Sequence, residues 1–266
     1  MPKHDRWSSL LEVLAAEGRL DVEDAAGRLG VSAATIRRDF DELSERRMLL
    51  RTRGGALAHG VSYELPLRYR SSRNARQKQQ IAAAAADLIG DGEVVGLNGG
   101  TTTTEVARAL AVRAGSDLQA VPASGEPPVL TVVTNALNIA GELAVRPQIK
   151  IVTTGGVARP QTYELVGPLT RGVLDEVVLD VVVLGADAVD PGLGVMTRHE
   201  DEASVSRQFA ERARRVIVVA DSTKMGARAF ARICGIARID VLVTDSAVEP
   251  AMVAGLTEAG IKVLAV

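Results

Sequence analysis

Seven short runs of aliphatic, mostly β-branched residues recur through the last two-thirds of the 266-residue sequence, and helix-like segments separate them. The runs occupy residues 94–97, 130–133, 149–152, 181–184, 216–219, 241–243 and 262–264. Strands that are apolar along their whole length, rather than at alternate residues, are buried on both faces. The pattern therefore predicts an α/β fold in which helices cover both sides of a mostly parallel sheet.

The first fifty-eight residues follow a different pattern. Apolar residues at helical spacing predict helices over residues 6–17 and 23–29, and a third helix that the Ser32 hydroxyl can cap. The alternating run 49–53 leads into Gly54 and Gly55, which is typical of a β-hairpin. Three short helices with a tight turn before the last one, followed by a hairpin, predict a small winged helix-turn-helix domain that contacts DNA.

Charge is distributed unevenly along the chain. Residues 1–80 contain 15 Lys and Arg against 11 Asp and Glu, whereas residues 81–266 contain 16 against 22. A basic N-terminal part on an acidic remainder favours local contact with phosphates over general binding to nucleic acid. A solvated charged face would give the same totals, so charge alone does not decide between the two.

The N-terminal half of the third helix is the part that would enter the major groove, while the hairpin would reach the DNA backbone or the minor groove. Arginine can bridge guanine through two hydrogen bonds, and serine and threonine discriminate less between bases. The predicted DNA-contacting residues are Ser32, Ala33, Thr35, Arg37, Arg38, Arg51 and Arg53. The alternative is a helical interaction module whose arginines only face solvent.

These patterns divide the chain into a DNA-binding domain at residues 1–58, a linker at 59–73 and a larger domain at 74–266. The linker contains Arg68, Arg70 and Arg73, which could contact DNA phosphates or the acidic surface of the larger domain. The sequence leaves both possibilities open. A second segment with Gly and Pro, residues 115–128, is expected to be an exposed loop.

Ligands of parallel sheets bind beyond the carboxyl ends of the strands. The first such loop, Asn98-Gly99-Gly100 and the four threonines after it, leads into a helix predicted over residues 105–111. Its glycines let the backbone approach an anion, and N–H groups at the start of a helix favour negative charge. The loop matches neither a Walker A nor a Rossmann fingerprint. The same residues also begin helices that bind nothing, so this loop alone is an ambiguous signal.

Other strand-end loops strengthen the prediction of a ligand site at this edge of the sheet. They offer carboxylates suited to hydroxyl groups, and a lysine and glycine-rich turns suited to a phosphate. The predicted effector-binding residues are Asn98, Gly99, Gly100, Thr101, Thr102, Thr103, Asn135, Gly155, Gly156, Arg159, Asp187, Asp190 and Lys224. Each charged residue taken singly is explained by solvation or a salt bridge. Their recurrence at strand ends indicates a site for a small-molecule sugar phosphate.

The N-terminal residues resemble the DNA-binding domain of the DeoR family of bacterial transcriptional regulators. The resemblance lies in Val31-Ser32, Thr35-Ile36-Arg37-Arg38-Asp39, Leu43, Leu49-Leu50-Arg51 and Gly54-Gly55-Ala56. Phe40 stands where that family usually has leucine, Arg47-Met48 where it has Gly-Leu, and Arg53 where histidine is common. We expect these differences to tune the choice of operator rather than the fold.

The larger domain is similar to the DeoR-family sensor domain, which is related in fold to ribose-5-phosphate isomerase. The similarity is carried by residues 98–110, 132–143, 155–168, 181–191 and 216–226. The resemblance implies a transcriptional regulator, typically a repressor of a sugar catabolic operon, with double-stranded operator DNA and a phosphorylated sugar as partners. Asn98-Gly99-Gly100 replaces the usual Asp-Ser-Gly of the family, which could change ligand selectivity.

A sugar-phosphate isomerase fused to a DNA-binding domain is the main alternative. Such an enzyme needs a carboxylate base, and the related isomerases follow their Gly-Ala-Asp loop with a lysine, a glycine run and a glutamate base. Here residues 196–207 contain no glycine run, and Arg207 falls near the position of the base. Glu200 or Glu202 could substitute for it. A coenzyme A transferase-like enzyme would need a glutamate nucleophile, which no loop presents convincingly.

We therefore expect a regulator with no catalytic residue, cofactor or metal; one cysteine and three scattered histidines also argue against a metal site. A paired operator requires at least a homodimer, because half-sites mirror the symmetry of the protein. The N-terminus has no apolar signal segment, and no run approaches the roughly 20 apolar residues that span a bilayer. These features predict a cytoplasmic protein without a membrane partner.

Overall fold

A computed structural model describes residues 2–46, 48–58, 67, 74–115 and 128–266 of the chain. The chain forms two compact units, residues 1–73 and 74–266. Apart from Leu67, the predicted linker lies outside the described residues, and so does most of the expected loop at 115–128. The domain boundaries at residues 58 and 74 stay predictions.

The described residues of the N-terminal unit form three helices and a small antiparallel sheet. The elements are α1 (Lys3–Glu17), β1 (Arg19–Asp21), α2 (Val22–Leu29), α3 (Ala33–Glu45), β2 (Leu50–Arg51) and β3 (Gly55–Leu57). The strand order is β1-β3-β2, so the predicted hairpin has gained a third strand from the segment between the first two helices. This pairing needs Gly55, since a Cβ there would lie 2.2 Å from the Leu20 carbonyl oxygen.

The three helices and the sheet enclose one apolar core. Ile36, Phe40 and Leu43, the residues predicted to share one side of α3, are fully buried in the same apolar cluster as Leu10 and Leu14 of α1. The buried side of α3 therefore belongs to this core, and Arg37 and Arg38 lie on its exposed side. This arrangement of helices and hairpin is the predicted winged helix-turn-helix.

The larger unit is built on one central sheet with helices on both faces. Its longer elements are α4 (Ala75–Ala86), β4 (Val94–Leu97), α5 (Thr101–Ala114), β5 (Leu130–Thr134), α6 (Leu137–Leu143), β6 (Ile149–Thr153), β9 (Leu179–Gly185), α8 (Glu200–Arg212), β12 (Ala213–Val219), β14 (Val241–Thr244), α9 (Pro250–Glu258) and β15 (Lys262–Ala265). Its shorter elements are β7 (Val157–Ala158), β8 (Leu165–Val166), α7 (Arg171–Leu174), β10 (Ala188–Asp190), β11 (Gly194–Thr197) and β13 (Ala231–Cys234).

All seven predicted runs are strands of this sheet, in the order β15-β14-β12-β9-β4-β5-β6, and every pair is parallel. Successive residues of β9 enter opposite cores. Val181 and Val183 pack beneath α4, α5 and α6, whereas Val182 and Leu184 pack beneath α8 and α9. A continuous apolar run is thus explained by burial on both faces, and the α/β fold class is confirmed.

The order of the strands reverses between β4 and β9. From β4 the chain continues outward to β5 and β6 on one side, then returns to β9 and continues to β12 on the other. Such a reversal opens a crevice at the carboxyl ends of the two strands, which is where doubly wound sheets bind ligands.

Two smaller sheets were not predicted from the sequence. One joins β10, β11 and β13, and the other pairs β7 with β8. Strands of two to four residues carry too little periodicity to be distinguished from loops. Within the described residues no helix is long and apolar enough to cross a membrane.

Candidate DNA-binding and effector-binding sites

The start of α3 is built by its cap. The Thr35 backbone N–H donates to Ser32 Oγ over 3.2 Å, and the two hydroxyl oxygens lie 2.9 Å apart. The predicted capping by Ser32 is therefore confirmed. The contact also uses both hydroxyls that were predicted to approach DNA, although Ser32 is exposed and either oxygen can still accept.

Arg37 and Arg38 both lie on the exposed side of α3. Arg37 forms an ion pair with Glu23 of α2 over 3.1 Å, and both side chains are more than half exposed. An exposed pair of this kind is weak, so a phosphate or a base can displace Glu23. The geometry leaves both arginines available for DNA contact, which stays a prediction.

Asp39, the next residue, is buried and belongs to the core. It accepts hydrogen bonds from Arg6 Nη2 over 2.9 Å and from the Trp7 indole over 2.8 Å. The hydrogen bond to Asp39 raises the pKa of Arg6, and the charge of Asp39 raises it further. Partial burial of Arg6 acts in the opposite direction. In this run Arg37 and Arg38 are therefore exposed, whereas Asp39 is buried and holds α3 to α1.

The two arginines of the hairpin differ in their surroundings. Arg51 pairs with Asp41 over 2.7 Å, donates to the Gly55 carbonyl over 2.8 Å and lies over the ring of Phe40. Arg53 is exposed at the turn. Arg51 thus holds the hairpin against α3, and Arg53 is the better placed of the two for DNA contact.

The predicted effector loops share one edge of the central sheet. They follow β12, β9, β4, β5 and β6, five neighbouring strands that all run in the same direction. Residues that are far apart in sequence are therefore gathered into one row, which spans the reversal between β4 and β9.

Asn98 joins the two strands at that reversal. Its Oδ1 accepts from the Gly185 N–H over 2.8 Å, and its Nδ2 donates to the Gly185 carbonyl over 3.1 Å. The same Nδ2 lies 3.1 Å from Ser206 Oγ. An aspartate, the usual residue of the family, could accept from Gly185 but could not donate to it. Both polar atoms of the Asn98 side chain therefore already form hydrogen bonds within the protein.

The residues after Asn98 have unequal freedom to meet a ligand. The Gly99 N–H donates to Glu164 Oε1 over 2.9 Å. The Thr103 hydroxyl donates back to the Gly100 carbonyl over 3.2 Å. The hydroxyls of Thr101 and Thr102 form no hydrogen bond with another described residue. Of the predicted cradle, these two threonines are thus best placed to contact an anion.

Glu164, which the sequence did not single out, lies at the centre of the row. It is 4% exposed and also lies 3.3 Å from Asn135 Nδ2. Burial, and then the charge of Glu202, raise the pKa of Glu164 from 4.5 to about 8. Burial therefore favours the neutral form of Glu164, and a neutral carboxyl can both donate to and accept from a hydroxyl group.

Glu202 has its own set of partners. It accepts from the Thr162 hydroxyl over 2.9 Å and lies 3.1 Å from Arg159 Nε. Its other oxygen lies 3.3 Å from the Thr197 hydroxyl, which also contacts Asp187 over 3.0 Å. Arg159 and Asp187, both predicted for the site, are thus connected through Glu202 and Thr197, neither of which was predicted as a binding residue.

The remaining predicted residues lie at the margins of the row. Asp190 accepts from the N–H groups of Gly192 and Leu193, both over 2.9 Å, and so forms the turn between β10 and β11. Lys224 ends a short 3-10 turn after β12 and is half-buried. Gly155 and Gly156 follow β6, and both have positive φ angles. Their contacts with an effector stay predictions.

The two glutamates considered as isomerase bases are poorly suited to that role. Glu200 is exposed at the start of α8, and Glu202 is buried beside Arg159. The Glu202 oxygen beside Arg159 also accepts from the Thr162 hydroxyl, so it is already engaged within the protein. Arg207, near the expected position of the base, donates to the Ile233 carbonyl.

A cavity of about 310 Å³ lies beside α8. It is lined by Gly167, Pro168, Arg171, Asp201, Ser204 and Gln208. None of these residues was predicted for the site, and the lining does not include the anion loop.

Comparison with known families gives two matches along the chain. The DeoR-like helix-turn-helix domain matches residues 6–59, and the DeoR C-terminal sensor domain matches residues 73–246. The second match alone covers more than half of the sequence.

Curated relatives match over nearly the whole chain. The HTH-type transcriptional regulator GlpR of Haloferax volcanii is 32% identical over 98% of this chain and 96% of its own length. The transcriptional repressor AccR of Agrobacterium fabrum is 33% identical over 91% and 89%. The glycerol-3-phosphate regulon repressor of Escherichia coli K12 is 28% identical over 92% of both chains.

Among solved structures, ribose 5-phosphate isomerase A of Methanocaldococcus jannaschii aligns with 57% of this chain and 55% of its own, at 21% identity and a TM-score of 0.39. The likeness is too low to say anything about chemistry. These three curated relatives are regulators or repressors of transcription. With both domain models matched in order, the chain belongs to the DeoR family of transcriptional regulators.

Proposed function

We propose that this regulator represses a sugar or carbohydrate catabolic operon and leaves its operator when a phosphorylated sugar binds to the larger unit. The observation that carries the proposal is the row of strand-end loops at the reversal of the sheet, in the same chain as a DNA-binding domain. The row offers hydroxyls, carboxyls and cations within one crevice, which suits a small ligand with several hydroxyl groups and one anionic group.

The DNA-binding residues of the proposal are Ser32, Ala33, Thr35, Arg37, Arg38 and Arg53. The exposed side of α3 supports their role, since its arginines have only weak partners or face solvent. Arg51 contributes indirectly, by holding the hairpin against α3. We place the protein in the cytoplasm, where operator DNA is accessible.

The phosphate of the effector is proposed to bind at Thr101 and Thr102, at the N-terminus of α5. The two free hydroxyls and the positive end of the helix support this placement. The polyol end is proposed to lie towards Asp187 and Arg159. The glycerol-3-phosphate regulon repressor of E. coli carries in its name a phosphorylated polyol of this chemical class.

Regulation requires the effector to favour one of two states. If a sugar phosphate lowers the affinity for DNA, DNA must lower the affinity for the sugar phosphate by the same factor. A palindromic operator adds a second requirement, because each half-site needs its own helix. We therefore propose at least a homodimer as the DNA-binding species.

Fluorescence anisotropy on labelled DNA from upstream of the chain's own gene tests the proposal. Ribose 5-phosphate, glycerol 3-phosphate, other sugar phosphates, the unphosphorylated sugars and inorganic phosphate are added in turn to the protein–DNA complex. We expect one phosphorylated sugar to release the DNA and its unphosphorylated form to fail. Release by none of the phosphorylated compounds, or equal release by the unphosphorylated sugars, would contradict the proposal.

Two variants link release to the site. Asp187→Ala and Lys224→Ala should bind DNA in the absence of effector but need more sugar phosphate for release. If both variants respond as the unmodified protein does, the effector binds elsewhere. Sedimentation of the protein–DNA complex gives the number of chains, and one chain per operator would contradict the dimer.

A further inference from the structure

The predicted anion loop already holds an internal carboxyl group. The Gly99 N–H, one of the donors that would meet an anion, donates instead to Glu164 Oε1 over 2.9 Å. Asn135 Nδ2 approaches the same oxygen over 3.3 Å. Glu164 is 4% exposed, so its carboxyl fills this position rather than hanging over it from the surface.

Gly99 is fitted to that carboxyl. A Cβ at residue 99 would lie 2.2 Å from Glu164 Cγ and 2.5 Å from Cδ. Such a contact is impossible without movement of the Glu164 side chain, which is buried on all sides. The missing side chain of residue 99, where the family usually has serine, is therefore matched to a glutamate from a distant segment.

Glu164 also has a second carboxyl beside it. Burial raises the pKa of Glu164 most, and the nearby charge of Glu202 raises it further. Glu202 itself pairs with Arg159. The Arg159 guanidinium thus lies beside Glu202, and burial favours the neutral form of Glu164. A protonated Glu164 does not repel a ligand, but its Oε1 still occupies the Gly99 N–H.

A buried acceptor beside Glu164 points to a ligand. Asn135 is fully buried, and its Nδ2 bonds to the Leu165 carbonyl as well as approaching Glu164. Its Oδ1 has no hydrogen-bond partner among the described residues. An unpaired buried acceptor is unfavourable, and a hydroxyl group of a ligand would satisfy it. A fully ionised anionic group would not, since it has no proton to donate.

We propose that Glu164 is a specificity-determining residue of the effector site: it takes the Gly99 N–H from phosphate and, with Asn135, turns this part of the loop towards a ligand hydroxyl. The inference rests on the proposed effector site and adds the direction in which the ligand lies. The phosphate is left to Thr101 and Thr102, and the polyol end faces Glu164 and Asn135. A free phosphate ion, which has no polyol end, binds poorly.

Calorimetry with inorganic phosphate on the DNA-free, full-length protein tests the inference at pH 7. Glu164→Ala uncovers the Gly99 N–H, and a hydrogen bond to a charged group is strong enough that we expect phosphate to bind at least about 10-fold more tightly. Glu164→Gln retains an oxygen for Gly99 and an NH₂ group that can donate to Glu202. It should therefore keep the low phosphate affinity of the unmodified protein.

Comparing the two variants shows whether Glu164 lowers phosphate affinity by occupying the Gly99 N–H or by its charge. Equal gains in phosphate affinity for Glu164→Ala and Glu164→Gln would overturn the inference, as would no gain for the alanine variant. Glu105→Gln removes a carboxylate one turn into α5, where Glu105 pairs with Arg108, and should leave phosphate affinity unchanged. Circular dichroism checks folding, and Glu164→Ser, which also uncovers Gly99, replaces the alanine variant if that one does not fold.

The outcome is distinguishable from that of the proposed function. If sugar phosphates release DNA from the unmodified protein but Glu164→Ala gains no phosphate affinity, only the inference about Glu164 falls. If Glu164→Ala gains phosphate affinity while no sugar phosphate releases DNA, the loop binds anions as inferred but does not control DNA binding.

Discussion

The Trp7 indole donates a hydrogen bond of 2.8 Å to Asp39, which joins α1 to the centre of α3. Because Asp39 can face Trp7 in only one rotation of α3 about its axis, the bond also fixes where Arg37 and Arg38 point. The most polar part of the recognition helix is thus oriented by a contact on its opposite, buried side.

Asp39→Ala should destabilise the N-terminal unit by about 3 to 5 kcal/mol, since it removes one member of a buried ion pair. Trp7 is the only tryptophan of the chain. Its fluorescence during urea denaturation therefore follows this unit selectively.

The matched control is Asp41→Ala. Asp41 pairs with Arg51 but is 59% exposed in its side chain, so we expect a loss of no more than about 1 kcal/mol. Equal effects of the two substitutions would mean that the contact between Trp7 and Asp39 does not hold α3 in place.

Arg38→Ala should weaken operator binding by roughly 10- to 100-fold if the guanidinium contacts a base, because such a contact is worth about 1 to 3 kcal/mol. Binding to unrelated DNA should then change far less. A phosphate contact would instead weaken both and reduce the slope of log affinity against log salt by about one. Arg28→Ala on α2, where Arg28 pairs with Glu17 and Asp24, is the control, and no loss for Arg38→Ala would contradict the assignment of α3.

The two hairpin arginines should separate stability from affinity. Arg51→Ala loses the contacts with Asp41 and the Gly55 carbonyl and should lower the urea midpoint seen by Trp7 fluorescence. Arg53→Ala should leave that midpoint in place and weaken DNA binding, measured by anisotropy. A lower midpoint for Arg53→Ala with unchanged affinity would reverse these roles.

The stability of the larger unit should depend on pH through Glu164. Burial, and then the charge of Glu202, raise its pKa from 4.5 to about 8, so between these values the folded chain holds one proton more than the unfolded chain. The free energy of unfolding therefore falls as the pH rises through this window. The contribution is complete below about pH 4.5 and lost above about pH 8.

Urea denaturation followed by circular dichroism at several pH values between 5 and 8.5 measures this slope. Glu164→Gln should flatten it, since an amide does not titrate. Glu258→Gln, at the exposed end of α9, should not. An equal slope in the Glu164→Gln variant would show that another group takes up the proton.

Asn98→Asp restores the usual residue of the family and should nevertheless destabilise the larger unit by about 1 to 3 kcal/mol. A carboxylate cannot donate to the Gly185 carbonyl, and it places negative charge beside that oxygen. Asn74→Asp, at a position whose side chain forms no cap hydrogen bond, is the control in the same denaturation experiment. A variant as stable as the unmodified protein would mean that Asn98 does not secure β4 to β9.

The central sheet was predictable because each of its strands is an apolar run that is visible in the local sequence. Residues 181–184 are apolar without interruption, and the structure divides them between two cores. The helix around Ile36, Phe40 and Leu43 was equally predictable, since these three apolar residues recur at helical spacing. The third strand of the N-terminal sheet was not, because its pairing with β3 depends on Gly55 meeting Leu20 across a gap of more than thirty residues.

The interior of the candidate site was much less predictable. Asn98 and Asp190 stay predicted ligand contacts, but their hydrogen bonds to Gly185 and to the turn after Asp190 were not predicted. The Asp-Pro-Gly sequence was a turn signal that could have shown this for Asp190. Glu164 had no such signal, because its partners Gly99 and Glu202 come from other strands and helices and meet it only in the folded chain.

The two hydrogen bonds between Asn98 and Gly185 have a consequence for binding affinity. They fasten the first loop of the crevice to the loop that carries Asp187 before any ligand arrives. A ligand that touches both loops then loses less conformational freedom than it would in ordering them separately, so more of its contact energy appears as affinity. For the same reason neither loop can adjust alone, and a molecule of the wrong length must disturb both or bind to neither.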